Sequence, residues 1–319
     1  MIQDTLKSIS MSRIHTFCDC KLKYKYTYID HWAVPEDKEA PVADVTKKGL
    51  ALHETFEAII KNNLTKDQSF DKLLENCKIQ KIDPERIEKE FGLESGLNRW
   101  WQFKEYIDSL GVAELHPEME YNEPISNGVI TKICKSYFDL LIKLKDGSWI
   151  IVDYKTPKSA DVNNYAEQLM LYVFVLWNNL RRTKQETCEL KEFVAKCKTA
   201  VFFPLAKLAK KNEKLENRFV PLEYDYPKMM SFLRGLFGNV NLMQTFDFDK
   251  NAFALSNNTK VGQGCTWCPY CGTTRDDGEE GFEGCPVTAA IQFPKLIMKG
   301  VKFIKPKPED KPQSEVTSQ

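Results

Sequence analysis

The run SWIIVDYKTPKS (148–159) ends on Asp153, Tyr154 and Lys155, an acid and a base two positions apart. On a strand, residues two apart point to one side, so these two side chains would work together. The run before it, KSYFDLLIKL (135–144), carries a further acid, Asp139. Two carboxylates that meet on one face can share a divalent cation. Oxygen ligands select hard ions such as Mg2+ or Mn2+, which polarise a phosphodiester and activate water. Lys155 would orient that water or stabilise the charge that develops. Asp-x-Lys alone is a weak signal, since most occurrences are surface charges.

The acids meet only in one hairpin register. With a two-residue Asp146-Gly147 loop, Asp139 opposes Tyr154, and the two aspartates point to opposite faces. With a three-residue loop, Lys145-Asp146-Gly147, Leu144 pairs with Ser148 and Asp139 opposes Asp153, with Cβ atoms about 4.5–5.5 Å apart. The longer loop places a left-handed residue third, which suits Gly147. It is the register expected here, with Leu140, Ile142, Leu144, Ile150, Val152 and Tyr154 forming an apolar stripe on the other face.

A second group of candidate ligands is GCTWCPYCGTTRDDGEEGFEGCP (264–286), which brings Cys265, Cys268, Cys271 and Cys285 close together. A C-x2-C pair with a further cysteine downstream is a ligand signal, and thiolates select zinc or iron–sulfur. The chain has ten cysteines. Cys77, Cys134, Cys188 and Cys197 are scattered and are expected to be ordinary residues.

The elements that must position these groups follow from periodicity. SRIHTFCDCKLKYKYTYIDHW (12–32) reads as an aromatic-rich helix, and DVTKKGLALHETFEAIIKNN (44–63) as a helix with Leu52 and Phe56 inward. Residues from about Phe70 to Leu110 continue as helix anchored by Trp100 and Trp101. Strands follow near Glu118–Tyr121, Tyr137–Lys145 and Trp149–Lys155. ADVNNYAEQLMLYVFVLWNNLRR (160–182) is a strongly apolar helix, TAVFFPL and RFVPLEYDY are strands, and YPKMMSFLRGLF is a helix. This order predicts an α/β (α+β) fold with a small mixed sheet flanked by helices. Residues 301–319, rich in Pro and charge, read as a disordered tail.

The 319 residues carry 45 basic and 45 acidic side chains, a net charge of zero. Nucleic-acid binding therefore has no support from overall charge, although Arg181–Arg218 is locally basic and, with the Lys/Tyr-rich N-terminal helix, is a candidate to contact phosphates and stack bases. No apolar run is long enough to span a membrane, and the N-terminus lacks the apolar core of a signal peptide. A cytoplasmic protein is expected. No Gly-x-x-x-x-Gly-Lys-Ser/Thr loop is present, so ATP-driven unwinding would need a helicase or recombination partner.

KSYFDLLIKL followed by IIVDYKTPKS resembles the core of PD-(D/E)XK nucleases of the RecB-like branch. KKGLALHETFEA, YAEQLMLYVF and SRIHTFCDCKLKYKYTYI resemble, in the family's order, its histidine helix, its Gln-x-x-x-Tyr helix and its N-terminal cysteine segment. The likeness runs from about Ser12 to Pro286 and is to AddB-like, CRISPR-associated and phage exonucleases. It implies a restriction-endonuclease-like core over 1–300, a helical insertion at about 55–117 and a cysteine segment at 264–286. It implies a metal held by His53, Asp139 and Asp153 with the Tyr154 carbonyl, Lys155 as the catalytic lysine, and Gln168 and Tyr172 as positioning groups. Glu120 is a weaker candidate for an acid preceding the core, and Ser136 stands where the family has glycine. The resemblance also implies a [4Fe-4S] cluster on Cys20, Cys265, Cys268 and Cys285 that joins the chain ends. Lys21 departs from the family's proline, and Cys18 and Cys271 are alternates; four local thiolates binding zinc is the other reading. The implied activity is metal-dependent cleavage of DNA, as an exonuclease on single strands or ends. The alternatives are a CRISPR-adaptation nuclease and a non-catalytic DNA-binding module of the same fold.

Overall fold

The structure, a computed structural model, describes residues 6, 8–31, 44–157, 159–208 and 213–248, with short pieces at 268, 273–274, 281–283 and 302–304. Cys265, Cys271 and Cys285 lie outside the described residues. In chain order the elements are β1 (Ser8–Ile9), α1 (Met11–Asp19), α2 (Lys21–Tyr28), α3 (Asp44–Asn62), α4 (Lys66–Ile79), α5 (Leu93–Ser109), β2 (Val112–Ser126), β3 (Thr131–Leu144), β4 (Trp149–Tyr154), α6 (Ala166–Arg182), α7 (Leu190–Lys196), β5 (Cys197–Phe202), β6 (Phe219–Leu222) and α8 (Tyr226–Thr245). Three short strands follow, β7 (Thr273–Thr274), β8 (Gly281–Glu283) and β9 (Lys302–Ile304).

The chain divides into two compact units, one of Met1–Leu6, Ser12–Pro41 and Asn239–Gln319, the other of Lys7–Met11 and Val42–Gly238. The second unit holds a six-stranded mixed sheet in the order β1-β3-β4-β5-β6, with β2 paired to β3. β3 is antiparallel to β2 and β4, while β4 and β5 run parallel. All six residues of β4 are buried, which explains why its sequence is nearly unbroken apolar: both faces of this central strand are covered. Leu140, Ile142, Ile150, Val152 and Tyr154 join Phe56, Leu97, Trp100 and Phe103 in the core beneath α3, α4 and α5. α6, buried from Leu169 to Leu176, packs on β2, β3, β4 and β5.

The hairpin loop is the three-residue one. Leu144 N–H donates to Ser148 O at 2.9 Å, Gly147 N–H to Leu144 O at 3.0 Å, and Gly147 takes φ +82°. Ile142 pairs with Ile150 and Leu140 with Val152, so the next step sets Asp139 opposite Asp153.

Several elements differ from the sequence expectation, among them the helix expected from about Phe70 to Leu110, which is broken between Ile79 and Leu93 into α4 and α5. The N-terminal aromatic segment is two helices, because Cys20 takes extended backbone and its Sγ accepts the Lys23 N–H that α2 leaves unpaired. β2 is much longer than Glu118–Tyr121; its Pro117 and Pro124 are tolerated because, among the described residues, β2 pairs only with β3. α7 is new, a short helix started by a reciprocal pair of Glu189 and Glu192 side chains on its first N–H groups. In the first unit, Phe17 packs edge-on against Tyr24 and Phe246, and Tyr24 stacks on Phe248. Tyr24 and Tyr26 are buried there rather than presented for stacking on a base.

Candidate active site

The site lies where β4 leaves the sheet. β3 delivers Asp139, β2 delivers Glu118 and α3 delivers His53. His53 Nδ1 is 3.5 Å from Asp139 Oδ1 and 3.9 Å from Glu118 Oε1. One nitrogen or oxygen from each of the three lies within 4.8 Å of the others. Asp139 Oδ2 accepts the Tyr154 backbone N–H at 2.5 Å, which ties the acid on β3 to the strand carrying Asp153 and Lys155. The Tyr154 ring packs edge-on against His53 at 5.6 Å.

Asp153 stands beside this trio and faces a different set. Lys155 Nζ is 2.5 Å from Asp153 Oδ2. Gln168 Nε2 reaches Asp153 Oδ1 at 3.5 Å and donates to the Tyr172 hydroxyl at 2.5 Å. Gln168 and Tyr172 are one turn apart on α6, so one helix face supplies both. The Tyr172 ring rests on Phe138 at 4.5 Å. Lys155 Nζ also sits 5.2 Å above the Tyr165 ring, within cation–π range.

Sequence reasoning missed Glu118 and Tyr165. It pointed instead to Glu120, which is exposed and accepts from Asn122 and Tyr137. Glu118 takes left-handed backbone, φ +49°, inside a strand that otherwise keeps its pairing: Pro117 meets Leu140 and Met119 meets Phe138. A non-glycine residue rarely adopts that conformation, and such strain gathers at functional sites. The kink coincides with a change in the neighbouring strand's packing. Phe138 packs on Tyr121 and Tyr172, whereas Leu140 joins the core under α3–α5. Asp139 sits at this changeover. The available signal was the Pro117-Glu118 pair, a point where an edge strand can bend.

The crowding of acids shows in their titration. Burial, then the charge of Asp139, holds Glu118 up at about 7. Burial, then Asp139, also raises Asp153, against the pull of Lys155. For His53, burial opposes protonation, but the hydrogen bond and charge of Asp139 and the charge of Glu118 outweigh it and raise its pKa. Lys155 is raised in the same way: burial works against it, and the Asp153 and Asp139 charges prevail. Acids held together against their mutual repulsion, with one imidazole nitrogen among them, fit a hard divalent cation, which would relieve that repulsion.

Several cations of the basic stretch 181–218 have partners within this chain. Arg182 pairs with the buried Glu123, Lys196 with Glu186, and Arg181 with Glu189. Arg218 is buried and donates to the Phe203 and Ala206 carbonyls. No described helix is long and apolar enough to cross a membrane.

A family model described as the PD-(D/E)XK nuclease superfamily matches residues 8–272. Among solved structures, the crystal structure of SSO0001 is similar at 13% identity, covering 83% of this chain and 84% of that one, with a TM-score of 0.33. No curated protein matches. The family match contains β1 to α8, and with them His53, Glu118, Asp139, Asp153, Lys155, Gln168 and Tyr172. This chain belongs to the PD-(D/E)XK nuclease superfamily.

Proposed function

We propose that the chain is a metal-dependent deoxyribonuclease that works as an exonuclease on single strands or DNA ends. The observation that carries this reading is the convergence of His53, Glu118 and Asp139 beside the Asp153–Lys155 pair on β4. His53, Glu118 and Asp139 would hold Mg2+ or Mn2+, with Asp153 and the Tyr154 carbonyl completing the set. The bound ion supplies a polarised phosphodiester and an acidified water. Asp153 holds the Lys155 ammonium beside the site, where it offsets negative charge developing on phosphate. Gln168 steadies Asp153 from α6, and the Tyr165 ring faces the same ammonium. Glu118 takes the role the sequence had offered to Glu120.

The cysteines are proposed to hold a [4Fe-4S] cluster on Cys20, Cys265, Cys268 and Cys285. Two observations support this. Residues 12–41 and 239–319 belong to one compact unit, and Cys20 is held at the first turn of α2 in that unit. The cluster would fasten the two ends of the chain; no catalytic step needs it. A brown protein absorbing near the violet after anaerobic purification is the expected result, lost in Cys20→Ala. A colourless, zinc-loaded protein would refute it.

The deciding experiment for the nuclease reading is digestion of end-labelled linear DNA with Mg2+ or Mn2+. Shortening from the ends is expected, stopped by EDTA and by Asp153→Ala. No metal-dependent cleavage of any strand or end type would leave a DNA-binding module of the same fold.

A further inference from the structure

We propose that the solvent face of the β2–β3 hairpin is a track for single-stranded nucleic acid running out of the catalytic site, with Tyr137 as its first stacking platform. This rests on the nuclease reading and names where the substrate strand lies.

The hairpin's pairing defines the track. Glu118 and Asp139 stand at the kink, between the pairs Pro117–Leu140 and Met119–Phe138, and the rows beyond it are Glu120 with Tyr137 and Asn122 with Lys135, continued by Ile133. Phe138 is turned to Tyr172 on α6, so its neighbour Tyr137 points to the other face. Each row adds about 6.6 Å, which carries the face well beyond the site.

The two faces of this arm differ sharply. Tyr121, Ile125, Cys134 and Phe138 are buried. Glu123, also buried, takes both nitrogens of a fork from Arg182 and a third bond from Asn179, which pins the arm to α6. On the solvent face, Tyr137 is 55% exposed, Ile133 38% and, at the tip, Val129 90%. Singly exposed apolar residues are ordinary; here three recur at four-residue intervals along one arm and its turn. The Tyr137 hydroxyl donates to Glu120 Oε1 at 3.2 Å, and Asn122 donates to the same oxygen at 2.9 Å. The bond fixes the ring's position, and the two donors partly satisfy Glu120. Stacking on Tyr137 would hold the strand here, with Lys135 as a cation on this face. Base–aromatic stacking tolerates any sequence, as an end-directed nuclease requires.

The test is fluorescence anisotropy of labelled oligothymidylate in EDTA, where no cleavage occurs. Tyr137→Ala is expected to weaken binding by about tenfold or more, while Tyr137→Phe stays within about twofold. Lys135→Ala is expected to flatten the plot of log affinity against log salt by about 0.7. Unchanged binding in Tyr137→Ala and Lys135→Ala would overturn the track, as would a wild-type chain that does not bind the oligomer. The two readings fail separately. A chain that binds through Tyr137 but cuts nothing keeps the track and loses the catalytic reading. A chain that cuts DNA with unaltered affinity in Tyr137→Ala does the reverse.

Discussion

At the scale of single residues, Lys155 is the most informative position. Its ammonium is held on one side by Asp153 at 2.5 Å and on the other by the Tyr165 ring at 5.2 Å. Lys155→Ala is expected to lower the cleavage rate by about 10²–10³-fold, while KM for DNA moves little, because the strand is held elsewhere. Tyr165→Leu is expected to cost about tenfold or less, and only while Lys155 is present; in the Lys155→Ala background it is expected to add nothing. An equal loss in both backgrounds would show that Tyr165 merely supports the fold. The acids and the lysine were legible in the sequence because their roles follow from strand parity, a local property. Glu118 and Tyr165 were not. Glu118 arrives through a left-handed kink that no periodicity encodes, and Tyr165 meets Lys155 only because the chain entering α6 passes over the end of β4.

At the scale of elements, the loop Lys145-Asp146-Gly147 decides whether Asp139 and Asp153 meet, and the sequence carried that decision in one glycine. Space around a Cβ at Gly147 is open, so Gly147→Ala meets no neighbour and its cost is that of left-handed backbone alone, about 1 kcal/mol. Urea denaturation should show that loss, with cleavage per folded molecule unchanged; a larger loss with altered activity would mean the register had slipped. β4 and α6 were legible because both are buried almost throughout and read as apolar runs. β2 was read as too short, since an edge strand with two prolines and many charges lacks the alternation of a half-buried one. α7 lies in the charged 181–218 stretch and is a short helix whose buried face is only Leu190, Phe193 and Val194, too few to stand out as a helical period.

At the scale of the whole molecule, the site joins α3 to the β2–β3–β4 meander, which lies far from it in the chain. A cation there would fasten them together, so metal binding and folding are linked. The sign of the pH dependence follows from the titration of the site. Glu118, Asp153 and His53 all have pKa values raised in the fold. A raised pKa gives a contribution that is fully present below the unfolded value and lost as pH rises through the folded one. For Glu118 this window runs from the ordinary glutamate value of 4.5 to about 7. The metal-free protein is therefore expected to lose stability through this site as pH rises from 4.5 to about 7. Glu186 behaves in the opposite sense: the hydrogen bond from Lys196 lowers it to about 2, so its contribution is constant above its unfolded value and is lost only in acid. A divalent ion must displace the proton from Glu118, so its affinity should climb through the same window. Melting curves with and without Mn2+ test this directly. At a hundredfold excess over Kd the ion should add about 2.7 kcal/mol, with the excess concentration needed at pH 5.5 much greater than at pH 8. Glu118→Gln should flatten the pH dependence of this gain, and Asp139→Ala should abolish the gain at both pH values. A Mn2+ shift that is independent of pH, or that survives Asp139→Ala, would place the ion somewhere other than the cluster of His53, Glu118 and Asp139.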